Sequence, residues 1–273
     1  MQDHRNTRMD MLANEPVHKV LLKMSLPMMV SFFIQAMYNI VDSMFVARIS
    51  EAALTAVSLA FPMQQVVTAI AVGTSIGVSA VWARCMGTGD KSQASRVIRT
   101  MTAMSILFSL VFIALGFLAS GPLFRRQTDV AEIASMGTVY LRINWVLSAG
   151  VIFGKYYERL LVSAGRATLS MLAMLSGAIF NLIFDPLLIF GIGPFPELGI
   201  AGAAWATVLG QILAVFVAIG LNQKYNEPVR RDMLRVAFHP RSAAAIIRVG
   251  LPSIVTIGLS SVSSFLNIIS CKA

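Results

Sequence analysis

Seven apolar stretches, at 20–46, 53–83, 97–118, 136–162, 169–190, 200–221 and 246–269, dominate this chain. Each is long enough to cross the roughly 30 Å hydrocarbon core of a bilayer as a helix. Backbone N–H and C=O groups find no water there and must pair within the segment, so runs of this length read as helices and not strands. Charged residues make up only 13% of the chain against 56% hydrophobic, where a soluble domain is nearer one-quarter charged. The expected fold is therefore all-α, a multi-helix transmembrane bundle whose solvent is the lipid bilayer.

The net charge of +9 could point to nucleic acid, but its placement points elsewhere. With the N-terminus inside, 17 Lys or Arg lie on the inner side, from Arg5 and Arg8 to Arg241 and Arg248. The outer loops hold Arg48, Arg125 and Arg126. That asymmetry is the positive-inside bias, so a cytoplasmic N-terminus is expected and a nucleic-acid partner is not. Cys85 and Cys271 lie far apart with no ligand spacing, which supports neither a disulfide framework nor a zinc site. No phosphate-binding loop is present, so neither ATP nor any other cofactor is expected. The first apolar run is too long for a signal-peptide core and no small-x-small site ends it, so it is expected to be retained.

Four segments follow: a polar cytoplasmic N-terminal segment (1–19), six spans (20–221), a basic cytoplasmic linker (222–245) and a seventh span (246–273). The run Lys23-Met24-Ser25-Leu26-Pro27 heads the first span and Arg248-Val249-Gly250-Leu251-Pro252 heads the seventh, 225 residues later. Six spans before the restart is an even number, so both copies enter from the same side, as in a parallel repeat about the membrane normal. On that reading the chain ends at Ala273 one helix into its second half, and its partner lobe is missing.

Two carboxylates sit inside these spans, Asp42 in the first and Asp185 in the fifth. Each costs roughly 2.5–3.5 kcal/mol at mid-span on insertion scales, so the default reading is an ion or proton pathway. Ser31, Gln35, Tyr38 and Asp42 fall at i, i+4, i+7 and i+11, on one helix face, with Asn39 at its edge. A stripe of this kind also forms by simple hydrogen bonding between helices, an alternative that stays open for Gln35 and Tyr38. Asn181 and Asp185 share a face at i, i+4, and Pro186 leaves the carbonyl of Leu182 without its helical donor. Thr207 and Gln211, again i, i+4, can add oxygens from the sixth span. The result is an oxygen-rich corner with no Lys or Arg in the helix cores to neutralise it, suited to a proton or a hard cation such as Na⁺. Pro27 either shapes the start of the first helix or marks a bend that moves. Gly73 and Gly77 read as a close helix contact, and Arg142 and Glu158 as interfacial charges or salt-bridge partners. An intramembrane aspartyl protease would need Tyr-Asp and Gly-x-Gly-Asp contexts. Asp42 follows Val41 and Asp185 follows Phe184, so an enzyme is not expected.

These runs resemble a known family. Ser25-Leu26-Pro27 through Tyr38-Asn39-Ile40-Val41-Asp42, then Glu158-Arg159-Leu160-Leu161, Asn181-Leu182-Ile183-Phe184-Asp185-Pro186 and Gly199-Ile200-Ala201-Gly202-Ala203-Ala204 look like the multidrug and toxic compound extrusion (MATE) family, in order along the chain. The resemblance implies a six-helix lobe and the start of a second, and an antiporter of the prokaryotic cytoplasmic membrane. It would export drugs or other organic, often cationic, compounds against inward H⁺ or Na⁺. It further implies a cation site at Asp42, Asn181, Asp185 and Thr207, with Gln35, Tyr38, Asn39 and Tyr140 as neighbours and bending at Pro27 and Pro186. The repeat offset pairs Asp42 with Asn267, so no acidic residue is expected in the seventh span. Two alternatives stand beside this: a lipid-linked saccharide flippase of the same superfamily, which would want Arg or Lys in its cavity, and an inactive truncated fragment.

Overall fold

The computed structural model describes residues 17–270, apart from the side chains at 17–21, 23, 24, 28, 262, 264 and 266–270. Most of the expected N-terminal segment, Cys271 and the side chain of Asn267 lie outside the described residues. Ten helices follow in order: α1 (Val17–Ala47), α2 (Glu51–Gly87), α3 (Lys91–Leu118), α4 (Ser120–Gln127), α5 (Ala131–Val146), α6 (Ala149–Ser163), α7 (Ala167–Phe190), α8 (Ile200–Tyr225), α9 (Glu227–Arg230) and α10 (Pro240–Ser270). Six of the described helices are long and apolar enough to cross a membrane, and α5 with α6 forms a seventh crossing if the pair is one span. The membrane bundle is as expected.

Local chemistry sets the breaks between helices. Ser50 caps α2 by accepting from the backbone N–H of Ala53 at 3.0 Å, and Asp90 caps α3 by accepting from Gln93 at 2.9 Å. Each satisfies a donor that the first helical turn leaves without a partner. Neither Pro27 nor Pro186 interrupts its helix. A sharp bend lies in the fourth span, where α5 and α6 meet at 46°. There Ser148 N–H donates to Trp145 O and Gly150 N–H to Leu147 O, both at 3.2 Å, three-residue bonds that interrupt the helical ladder.

Close packing is built on glycine. α2 receives α10 where Gly73 and Gly77 meet Gly250: a Cβ on Gly77 would stand 2.1 Å from Ile246 O, and one on Gly250 2.3 Å from Gly73 O. The expected role of Gly73 and Gly77 as a helix contact is what the structure shows. α1 packs chiefly on α7 and little on α2 or α8. Its other sides expose Met29, Phe32, Phe33, Met37, Ile40 and Met44, apolar surface of the kind lipid covers.

Residues 226–239 do not hang free. Val229 and Met233 are fully buried. The carbonyl of Met233 accepts from Thr102 Oγ1 at 3.0 Å and from Tyr157 Oη at 3.1 Å. Asn222 and Asn226 donate to the carbonyls of Tyr157 and Leu160 at 3.0 and 3.3 Å, capping the end of α6. α10 begins at Pro240, six residues ahead of the apolar run, because proline lacks only an N–H that a first turn does not use.

Candidate functional site

The site forms where α1, α7 and α8 meet, with α5 behind it. The approach of α7 to α8 is again set by glycine. A Cβ on Gly177 would lie 2.6 Å from Gly210 O, and one on Gly210 2.8 Å from Gly177 O. That contact brings Asn181, one turn on from Gly177, beside Thr207, which precedes Gly210 by three residues. Asn181 Nδ2 reaches Thr207 Oγ1 at 3.4 Å, and Tyr38 Oη reaches the same oxygen at 3.4 Å. Both are longer than a well-formed hydrogen bond, so they hold Thr207 loosely and leave its oxygen open to a stronger partner.

Asp42 and Asp185 lie near enough for each carboxylate to act on the other, and Asn181 stands one helical turn before Asp185. Asp185 is fully buried, Asn181 is 2% exposed and Asp42 and Thr207 are 9% exposed. Yet Asp42 Oδ1, both carboxylate oxygens of Asp185 and Asn181 Oδ1 have no hydrogen-bond partner. The two observations agree once the donors are counted. Ionised carboxylates only accept, so facing each other they offer four lone-pair-rich oxygens and no proton. No Lys or Arg is among the groups acting on either carboxyl.

The donor set is all oxygen, as an alkali cation requires, and it also suits a shared proton. Na⁺ therefore fits residues Asp42, Asn181, Asp185 and Thr207. Among the described residues no group of three or more His, Cys, Asp or Glu is assembled for a metal. A transition-metal centre has no such basis here.

Of the residues expected nearby, Tyr38 lies beside Thr207 and Tyr140 of α5 is buried at 3% exposure. Gln35 and Asn39 instead pair with each other at 3.4 Å on the exposed side of α1. Gln211 lies against Gly150 of α6. Glu158 forms the expected salt bridge, with Lys155 at 3.0 Å. Arg142 is exposed. The sequence reading missed Gln64 of α2, whose Nε2 is buried without a hydrogen-bond partner. It also missed the glycine contact that assembles the site. A lone amide in an apolar run carries no spacing signal, but Gly177 and Gly210 recur among small residues on two adjacent spans and could have been paired.

Comparisons with known proteins bear on the family and the fold. The MatE family model matches residues 27–187. The chain is 33% identical to the FAD transporter of Shewanella oneidensis over 208 residues, 75% of this chain and 45% of that protein. It is 23% identical to the multidrug export protein MepA of Staphylococcus aureus over 239 residues, 87% of this chain and 52% of that one. It superposes on a MOP superfamily transporter from Pyrococcus furiosus with TM-score 0.79 at 26% identity, covering 90% of this chain and 54% of that one. An inward-facing multidrug resistance MATE transporter matches with TM-score 0.78 at 28% identity, covering 90% and 55%. The chain thus spans about half the length of the relatives it matches. With the family model covering more than half of its residues, and helices to match, this chain belongs to the MatE family of multi-pass membrane transporters.

Proposed function

We propose that this chain serves a cation-coupled antiporter that exports organic compounds across the prokaryotic cytoplasmic membrane, with its N-terminus on the cytoplasmic side. H⁺ or Na⁺ passes through Asp42, Asn181, Asp185 and Thr207. The observation that carries this is the facing pair of buried carboxylates with no donor and no cationic partner. Two like charges in a low-dielectric interior repel, and a bound cation would cancel that repulsion. Asp185 sits on α7, which is held by α8, whereas Asp42 sits on α1, whose packing is chiefly against α7. Repulsion between the two residues bears hardest on the less supported helix. α1 is therefore the element that site occupancy moves, and alternating access follows when one lobe rocks against another.

The cargo is read from relatives. Similarity to MepA supports drug-like organic compounds, and the 33% identity to an FAD transporter favours a second reading, a flavin dinucleotide. The test is efflux from membrane vesicles under separately imposed pH and Na⁺ gradients, with a cationic dye and with FAD as cargo. Asp42→Asn keeps size and hydrogen bonding but cannot release a proton or offer full charge to Na⁺. It is expected to insert normally and to lose gradient-driven efflux by about a hundredfold or more, a loss of about 3 kcal/mol, the scale of a lost buried charge contact. Undiminished efflux by the variant would sink the reading.

A further inference from the structure

The basic segment between α8 and α10 runs alongside the bundle and not below it. Asp232 is bound by Arg99 at 2.7 Å, and the Met233 carbonyl accepts from Thr102 and Tyr157. Further on, Ala237 N–H reaches Arg99 O at 3.5 Å and His239 N–H reaches Thr100 Oγ1 at 3.3 Å. Residues 99–102 lie two to three turns into α3, where the apolar run 97–118 begins. The segment therefore lies at the depth where headgroups give way to acyl chains.

Its inward side is filled by Val229 and Met233. At alternate positions on the other side, Leu234, Val236 and Phe238 are 63%, 59% and 57% exposed. Grouped apolar side chains left open in this way mark a contact surface. Arg230, Arg231, Arg235 and Arg241 are exposed around them. The acids of 222–248 are Glu227 and Asp232, and Arg99 already binds the second. Apolar side chains at acyl-chain depth, flanked by arginines in excess over acids, complement an anionic lipid surface.

We propose that residues 230–241 form an interfacial anchor that binds anionic phospholipid. Leu234, Val236 and Phe238 enter the acyl-chain boundary, and Arg230, Arg231, Arg235 and Arg241 hold the anionic headgroups. This goes beyond the transport reading and depends on neither the cation site nor the cargo.

The test places the fluorophore NBD on Val236→Cys, with Cys85→Ser and Cys271→Ser, in phosphatidylcholine vesicles holding a minor share of phosphatidylglycerol. Quenching is read with doxyl-labelled phosphatidylglycerol or doxyl-labelled phosphatidylcholine at equal mole fraction. Both are expected to quench, the anionic lipid associating about fivefold more tightly, the size of one arginine–lipid attraction. Changing Arg230, Arg231 and Arg241 together to Gln leaves the Asp232–Arg99 anchor in place. That variant is expected to bring the preference below about twofold. Lys at the same three positions keeps the charge and is expected to keep the preference. Quenching by neither lipid overturns the proposal, because the face then meets water, a second copy or another protein surface. Equal quenching by the two lipids, a preference that survives Gln, or one lost equally with Lys overturns the recognition of anionic lipid.

Discussion

At the scale of single residues, the same side chain plays opposite parts in two settings. Asp42 and Asp185 face each other without a cation, whereas Asp232, beyond the spans, is held by Arg99 at 2.7 Å. Burial alone would raise the Asp232 carboxyl. Hydrogen bonds from Ser95 and Arg99 and the charges of Arg99 and Arg235 outweigh it and hold the group below the usual carboxylate range. A carboxyl depressed in the fold stabilises it at all pH above its unfolded value of about 3.9, and that stabilisation is lost as pH falls through the lower native value. Hydrogen exchange across 226–239 should therefore stay slow from neutral pH down to about 4 and quicken only below it. Asp232→Asn should quicken it already at neutral pH. Fast exchange in the unaltered protein at pH 5 would contradict this. The intramembrane acids were legible in the sequence because charge in a span has few innocent explanations. Asp232 was not, since an acid in an Arg-rich run reads as ordinary surface charge, and only the fold shows which Arg it meets.

At the scale of helices, hydropathy located every crossing but said little about how they bend or touch. The run 136–162 holds no proline, yet it breaks at 147–148. Pro27 and Pro186, the expected bends, lie within unbroken helices. Just past the break Gly150 seats against Gln211 of α8, and a Cβ there would stand 3.2 Å from the Gln211 Cβ. The same kind of contact makes a prediction on α8. Gly210→Ala puts a methyl 2.8 Å from Gly177 O, so the helices must part. It should cost about 1–3 kcal/mol and weaken cation binding together with stability. Gly220→Ala meets nothing within 4 Å and should stabilise the helix by about 0.5–1 kcal/mol. Thermal unfolding of both variants in one detergent checks this; equal midpoints would be against it.

At the scale of the whole molecule, α10, the head of the expected repeat, lies in a glycine-lined seat on α2. The seat was not legible in the sequence, because a motif of small residues names no partner. Gly77→Leu should dislodge α10 and open its backbone to hydrogen exchange while α2 stays protected; unchanged exchange in α10 would show that the seat does not hold it. The central claim, however, concerns the carboxylates acting as one site. Two groups sharing one cation act as a unit, and their losses do not add. The most direct measurement is gradient-driven efflux from vesicles for Asp42→Asn, Asp185→Asn and the pair together. The account predicts that either single change brings the rate close to the gradient-independent leak and that the second lowers it little further. Intermediate rates for the single variants, with the double falling to their product, would mean two independent sites and would contradict it.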